Sequence, residues 1–218
     1  MPQPCWILLH GIAGSVAQLA KLERALSSAG YETLNLRYAG RHKPIKDLLE
    51  DVHRDAAWFL DRAAGRTHFV THSMGGLVAR ALINRYRPAA LGRVVMLAPP
   101  NQGSELADLL ARTTAYRRFF GPAGLEIGTK RGERLCQLLG AVDYPLGVIA
   151  GSRSLDPFCW LIIPGPNDGR VSVARTAVSG MADSMTIPAT HTFIMRNRRA
   201  IEQTIHFLRY GYFRSVSW

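Results

Sequence analysis

Thr71-His72-Ser73-Met74-Gly75-Gly76 places a serine in the turn between two predicted elements of secondary structure. The apolar run at 68–70 is typical of a buried strand, and the apolar run at 77–83 is typical of a helix. A strand that turns straight into a helix forces its turn residue into backbone with positive φ, and a small neighbour such as Gly75 relieves the crowding. The turn is therefore expected to present the Ser73 hydroxyl outside the sheet, beside the N–H groups that begin the helix.

Two properties of this stretch weaken the signal when it is taken alone. Thr71 stands where the pattern G-x-S-x-G has its first glycine, and a threonine there crowds the turn. A serine that directly precedes a helix is also a common N-cap residue. Ser73 is therefore a candidate nucleophile whose assignment depends on the rest of the chain.

A glycine-containing loop follows the first apolar run of the chain. His10-Gly11-Ile12-Ala13-Gly14 comes directly after the apolar residues 6–9 and before a helical pattern at 17–26. The C-terminal ends of strands in an open α/β sheet converge on one crevice, so this loop is expected beside Ser73. The backbone N–H groups of Ile12 and Met74 are then predicted to form an oxyanion hole. A phosphate-binding loop and an ordinary tight turn remain alternatives.

The candidate acid and base lie in two later loops. Asp168 falls in Pro164-Gly165-Pro166-Asn167-Asp168-Gly169-Arg170-Val171, although Asn-Asp-Gly is also an ordinary surface turn. His191 falls in a loop just before the last predicted helix, whereas His206 falls inside that helix and is expected to be a surface or packing residue. The chain order Ser73, Asp168, His191 is the one demanded by the class of fold that carries its serine at a strand-to-helix turn.

Together these segments resemble the α/β-hydrolase superfamily, and more narrowly the bacterial triacylglycerol lipases and esterases. The resemblance runs from the loop at 10–14 to His191 and includes 98–104, where Asn101 replaces the histidine of that group. It implies a carboxylic-ester hydrolase that forms an acyl-enzyme on Ser73, with His191 as the base and Asp168 as the acid. The family's acid lies in Asn-Asp-Gly, which favours Asp168 over Asp156.

The chain departs from that group in ways that bear on metals and location. The group often carries a calcium-binding aspartate two residues after its histidine, but this chain has Phe193 there, and neither a metal nor a cofactor is predicted. The group also carries a secretion signal, whereas this chain enters its first strand just after residues 1–4, which favours the cytoplasm. Three scattered cysteines are predicted to be free thiols: Cys5, Cys136 and Cys159.

The alternation of strand and helix patterns predicts an α/β fold. We expect the α/β-hydrolase fold over residues 1–218 as a single domain, with a mostly parallel six-stranded sheet, helices on both faces and a small helical cap. The first strand would correspond to the family's third. The predicted strands are 5–9, 32–37, 67–71, 92–98, 146–151 and 184–188, and the predicted helices are 16–29, 45–64, 76–87 and 198–209.

The cap is predicted at 101–145, between the fourth and fifth of these strands. Two helices, at 106–110 and 133–139, are expected to be joined by the Gly/Pro-rich segment 121–124. Three aromatic residues in this region either line an acyl pocket or simply pack against one another: Tyr116, Phe119 and Phe120. The apolar segment 158–163, just before the acid, is pocket wall, lipid-facing surface or core.

The formal net charge is +11 and comes mostly from arginine. No RNA- or DNA-binding motif accompanies this charge, and nucleic-acid binding is not predicted. Clusters at 117–118, 130–131 and 196–199 either make weak peripheral contact with an anionic membrane or form an arginine-rich soluble surface. No apolar stretch is long enough for a transmembrane helix, and the oligomeric state is left open.

Three functions remain after these observations. The first is hydrolysis of a small-molecule or lipid ester. The second is acyl transfer by the same three residues with water excluded. The third is a hydrolase-fold protein that binds a ligand without turning it over.

Overall fold

The sheet of this computed structural model, which describes residues 4–63 and 65–215, consists of six parallel strands. Their order is β2-β1-β3-β4-β5-β6, and every neighbouring pair is parallel. The prediction of a six-stranded α/β sheet is confirmed. The strands are β1 Cys5–Leu9, β2 Glu32–Leu36, β3 Thr67–His72, β4 Leu91–Leu97, β5 Leu146–Gly151 and β6 Asp183–Ile187.

Helices cover both faces of the sheet, because side chains along each strand alternate between the faces. Trp6 and Leu8 of β1 pack on one side with α1 and α9, while Ile7 and Leu9 pack on the other side with α2, α3 and α6. The helices are α1 Val16–Ser28, α2 Ile45–Arg62, α3 Gly75–Tyr86, α4 Glu105–Leu110, α5 Thr114–Glu126, α6 Glu133–Leu139, α7 Cys159–Ile162, α8 Val173–Thr176 and α9 Arg198–Tyr210. The final residue of the predicted helix 45–64 lies outside the described residues, as do residues 1–3 and 216–218.

The start of α3 lies against the end of β1. A Cβ atom on Gly75 would lie 2.4 Å from the carbonyl oxygen of Leu9 and 2.7 Å from that of His10. Only glycine permits this approach without movement of the backbone. The contact therefore brings the loop that follows β1 next to the turn that carries Ser73.

A helix that the sequence did not predict, α5, lies between the helices at 106–110 and 133–139, so the segment 121–124 does not join them directly. It lies within α5, where Gly121 (φ 59°) interrupts the helical conformation and Pro122 begins the next turn. A Cβ atom on Gly121 would lie 1.8 Å from the carbonyl oxygen of Arg41, so this kink also allows a close contact. Helices α7 and α8 were not predicted, because four residues are too few to show a helical period.

Two further observations concern chemistry and membranes. The cysteines are free thiols as predicted, with Cys5 and Cys159 buried and Cys136 exposed. In the ranges 4–63 and 65–215, no helix has both the length and the apolar character needed to cross a bilayer.

Candidate active site

Ser73 occupies a strained turn at the end of β3. Its φ is 55°, a value that non-glycine residues seldom adopt and that is often found at functional sites. Its N–H donates to the Leu97 carbonyl oxygen at 2.9 Å, and its own carbonyl oxygen accepts from Gly76 N–H at 3.0 Å. These bonds fix the backbone of the turn. Thr71, which stands where a glycine was expected, is buried, and its hydroxyl lies beside Gly76.

Ser73, His191 and Asp168 form a continuous row of hydrogen bonds. His191 Nε2 lies 2.9 Å from Ser73 Oγ, and His191 Nδ1 lies 2.7 Å from Asp168 Oδ2. A carboxylate can only accept, so Nδ1 carries the proton and Nε2 accepts from the serine hydroxyl. This is the arrangement in which an imidazole can remove the proton of a serine.

Asp168 is fully buried and held from several directions. Its Oδ1 accepts from the N–H groups of Arg170 (2.9 Å) and Val171 (2.8 Å), which leaves Oδ2 for His191. Its carbonyl oxygen also accepts from His191 N–H at 2.9 Å, so the acid fixes both the ring and the backbone of the histidine. The other candidate, Asp156, is exposed, and its Oδ1 accepts from the nearby Phe158 N–H at 2.9 Å. The geometry therefore favours Asp168.

His72 supports His191 and was missed in the sequence. Its Nε2 donates to the carbonyl oxygen of His191 at 3.0 Å, and the two rings are 4.9 Å apart. Burial, and to a lesser extent the charge of His191, lower the pKa of His72 well below its usual range, so this imidazole stays neutral. The only sequence signal was its position next to Ser73.

The loop at 10–14 lies directly against the serine. A Cβ atom on Gly11 would lie 3.1 Å from Ser73 Cβ, and Gly14 N–H closes the loop on the Gly11 carbonyl oxygen at 2.9 Å. The buried Tyr38 hydroxyl donates to the carbonyl oxygen of His10 and anchors the loop from behind. Within the described residues, the N–H groups of Ile12 and Met74 have no acceptor in the chain. Both groups are available to a ligand.

A pocket of about 280 Å³ opens in front of Ser73 and His191. Most of its wall is apolar, and α4, α5 and the loop at 10–14 supply the larger side chains: Ile12, Leu106, Leu110, Tyr116, Phe120 and Ile127. Phe119 lies elsewhere, half exposed, with the Arg41 guanidinium 4.7 Å from its ring centre. The shape and lining suit an apolar group attached to a reactive carbonyl.

Two part-buried arginines hold the loop that links β4 to α4. Arg131 donates to the carbonyl oxygens of Pro100 and Asn101, and Arg80 donates to Asn101 Oδ1 at 3.3 Å. Burial lowers the pKa of Arg131 to about 10. This guanidinium is therefore engaged inside the fold, whereas the sequence had placed it in a surface cluster. Asn101 also donates to the Thr176 carbonyl oxygen and serves the same scaffold.

A family model described as the alpha/beta hydrolase family matches residues 6–205, which is most of the chain. The chain belongs to the alpha/beta hydrolase family. A search of curated proteins gives no match. The resemblance drawn from the motifs is thus confirmed at the level of the superfamily.

Solved structures share this fold at low sequence identity. The mature form of a Bacillus licheniformis lipase superposes with a TM-score of 0.74 and 18% identity, over 95% of this chain and 92% of that one. Phospholipase PlaB from Legionella pneumophila gives a TM-score of 0.70 at 19% identity, over 97% of this chain and 60% of that one. A metagenomic carboxyl esterase superposes with a TM-score of 0.69 at 19% identity, over 88% of this chain and 65% of that one. At such identities the likeness shows the fold.

Replacing His72 by glutamine tests its neutral, buried state. Glutamine keeps a side-chain N–H for the His191 carbonyl oxygen but does not ionise. Because the folded protein lowers the pKa of His72, the unfolded chain binds a proton at higher pH than the folded chain does. The stability that His72 contributes is therefore complete above about pH 6.5 and is lost as the pH falls below that value.

We accordingly expect the free energy of unfolding in urea to fall more steeply between about pH 7 and pH 5 in the wild type than in His72→Gln. The same change at the exposed His42 controls for loss of a histidine. Equal slopes for the wild type and His72→Gln would contradict the state assigned to His72.

Proposed function

We propose that this protein is a serine hydrolase that cleaves carboxylic esters through an acyl-enzyme on Ser73. The observation that carries the proposal is the row from Ser73 through His191 to Asp168, which faces an apolar pocket. Family membership supports hydrolysis in general. The pocket lining and the serine support esters in particular.

In the first half of the reaction, His191 Nε2 removes the proton from Ser73 Oγ as that oxygen attacks the ester carbonyl carbon. Asp168 accepts from Nδ1 and stabilises the imidazolium that forms. The carbonyl oxygen becomes an oxyanion and accepts from the N–H groups of Ile12 and Met74, which have no other acceptor among the described residues. When the C–O bond breaks, His191 gives its proton to the leaving alcohol and the acyl group stays on Ser73.

In the second half, water takes the place of the alcohol. His191 removes a proton from the water, which attacks the acyl carbonyl carbon and forms a second oxyanion in the same N–H cradle. Collapse of this intermediate breaks the bond to Ser73 Oγ. The serine recovers its proton from His191, and the carboxylic acid leaves.

The acyl group is assigned to the apolar pocket. Helices α4 and α5 of the segment 101–145 form much of its wall, and we assign this segment the role of a cap within a single domain. The related structures carry the names lipase, phospholipase and carboxyl esterase, which agree with an ester substrate. The free thiols agree with a reducing compartment such as the cytoplasm.

A fluorophosphonate probe tests the nucleophile, because it modifies a serine only when that serine is activated. We expect covalent labelling of the wild type and loss of labelling in both Ser73→Ala and His191→Ala. Ester turnover should fall by roughly a thousandfold or more in each variant. Intact-mass measurement and p-nitrophenyl ester hydrolysis check the two results.

Ser104→Ala is the matched control, because Ser104 lines the same pocket but its hydroxyl donates to the Arg170 carbonyl oxygen. This variant should still be labelled at Ser73. Labelling that persists in Ser73→Ala would refute the assignment of Ser73 as the nucleophile. A wild type that binds esters but resists labelling and turnover would instead be a non-catalytic binding protein.

The pocket predicts a chain-length effect for Leu110→Trp. Leu110 lines the pocket, so a bulkier side chain should shorten the space for the acyl group. We expect the ratio of kcat/KM for p-nitrophenyl octanoate to that for the acetate to fall about tenfold. Leu109→Trp is the control, since Leu109 is exposed on the same helix. A ratio that stays the same in Leu110→Trp, or falls equally in both variants, would place the acyl chain elsewhere.

A further inference from the structure

Large apolar side chains are exposed beside the mouth of the pocket. They come from the segment that includes α7 and from the turn after His191, and we call them the apolar rim: Leu155 (80% exposed), Phe158 (70%), Trp160 (55%), Leu161 (85%) and Phe193 (50%). Single exposed apolar residues are common on protein surfaces. Several that lie together mark an interaction surface.

The rim is continuous with the walls of the active site. Leu155, Trp160 and Phe193 line one open groove of about 450 Å³ together with two arginines. Cys159 of α7 and Ile163, which directly follows α7, pack on Leu106, which lines the catalytic pocket. Phe193 directly follows Thr192, another residue of that pocket. A surface that covers the rim therefore lies next to residues that line the catalytic pocket.

The outward orientation of the rim is set by the fold. Cys159 and Ile163 are buried to within 2% and anchor one side of α7, while Asp156 Oδ1 accepts from Phe158 N–H and fixes the turn that starts it. Phe158 and Leu161 are three residues apart and so share one face of the helical turn. The exposed side chains of Phe158 and Leu161 thus point away from the anchored side.

The charge around the rim is positive. Arg153 and Arg196 are exposed and line the groove, and Lys21 Nζ donates to the carbonyl oxygen of Arg196 at 2.9 Å, which adds a third cation. Asp156 is the one acid in the sequence from 153 to 161. Exposed aromatic and aliphatic side chains flanked by cations match the boundary between lipid headgroups and acyl chains.

We propose that the apolar rim docks on an anionic lipid bilayer, with Phe158, Trp160 and Leu161 entering the interface and Arg153 and Arg196 contacting lipid phosphates. This places the pocket mouth at the lipid surface. It rests on the proposed function in giving esters dissolved in the bilayer access to Ser73, but the docking itself needs no turnover. A second copy of the chain is a poorer occupant, because a symmetric interface would bring the same arginines together.

The test uses the Ser73→Ala protein, so that binding is measured without hydrolysis. Co-sedimentation with phosphatidylcholine vesicles that contain phosphatidylglycerol should show binding. The affinity for vesicles of phosphatidylcholine alone should be lower by about tenfold or more. The double variant Phe158→Ser with Leu161→Ser should weaken binding about tenfold or more, because it removes two apolar side chains that would be buried in the lipid. Arg153→Gln and Arg196→Gln should each weaken it about fivefold.

Trp160→Ser and Trp58→Ser form a matched pair. Trp58 lies on α2, is 53% exposed and has the Arg62 guanidinium 6.0 Å from its ring, but it lies outside the rim. Binding should weaken in Trp160→Ser alone. Hydrolysis of soluble p-nitrophenyl acetate by the same variants with Ser73 restored should be unchanged, which checks folding and separates docking from catalysis.

Three results would overturn the proposal. The first is absence of binding to anionic vesicles, and the second is equal loss of binding in the two tryptophan variants. The third is concentration-dependent self-association that disappears in Phe158→Ser with Leu161→Ser, which would make the rim an interface between copies. None of them bears on fluorophosphonate labelling of Ser73, so docking can fail while the hydrolase assignment stands.

Discussion

The contact between Gly75 and the end of β1 is the constraint on which the candidate site depends. Because the first residue of α3 has no side chain, the helix can begin directly beside the carbonyl oxygens of Leu9 and His10. The turn at Ser73 is then held at positive φ, and the loop at 10–14 lies against it. Ser73 and the loop that carries the Ile12 N–H are thus brought together by one backbone contact at the centre of a parallel sheet.

The side chains of Asp168 and His191 are held in place by hydrogen bonds to groups of the surrounding fold. Asp168 is fixed by two backbone N–H groups before it accepts from His191, and His191 is held on its backbone by both Asp168 and His72. In the proposed mechanism, little reorganisation would be needed when charge develops on the imidazole or on an oxyanion. Such pre-arranged polar groups are a major source of rate enhancement in enzymes.

The six strands and the helices α1, α2, α3 and α9 could be predicted from the sequence because each shows its hydrophobic period, whereas α5, α7 and α8 were not predicted. The kink at Gly121 could not be predicted, since it depends on the close approach of Arg41 from a distant part of the chain. The internal hydrogen bonds of the part-buried Arg131 could not be predicted either, because its partners are backbone carbonyl oxygens and a sequence does not show where these point. The same holds for His72 and its bond to the His191 carbonyl oxygen.

In the candidate site, Ser73, Asp168 and His191 could be named because their local turns and chain order carry the signal. The fate of the apolar segment 158–163 could not be decided, because a four-residue helix divides it into a buried side and an exposed side. Contacts made through backbone atoms or by very short helices produce no hydrophobic period in the sequence, so they cannot be predicted from it. The catalytic roles of the three named residues remain predictions for experiment.

The most direct test of the central claim is peptide mapping by mass spectrometry after the reaction with an ester is quenched in acid. An acyl-enzyme mechanism requires the mass of the acyl group on Ser73 within the first turnover, and its disappearance as substrate is exhausted. Product formation without an acyl group on Ser73, or with the acyl group on another residue, would contradict the account.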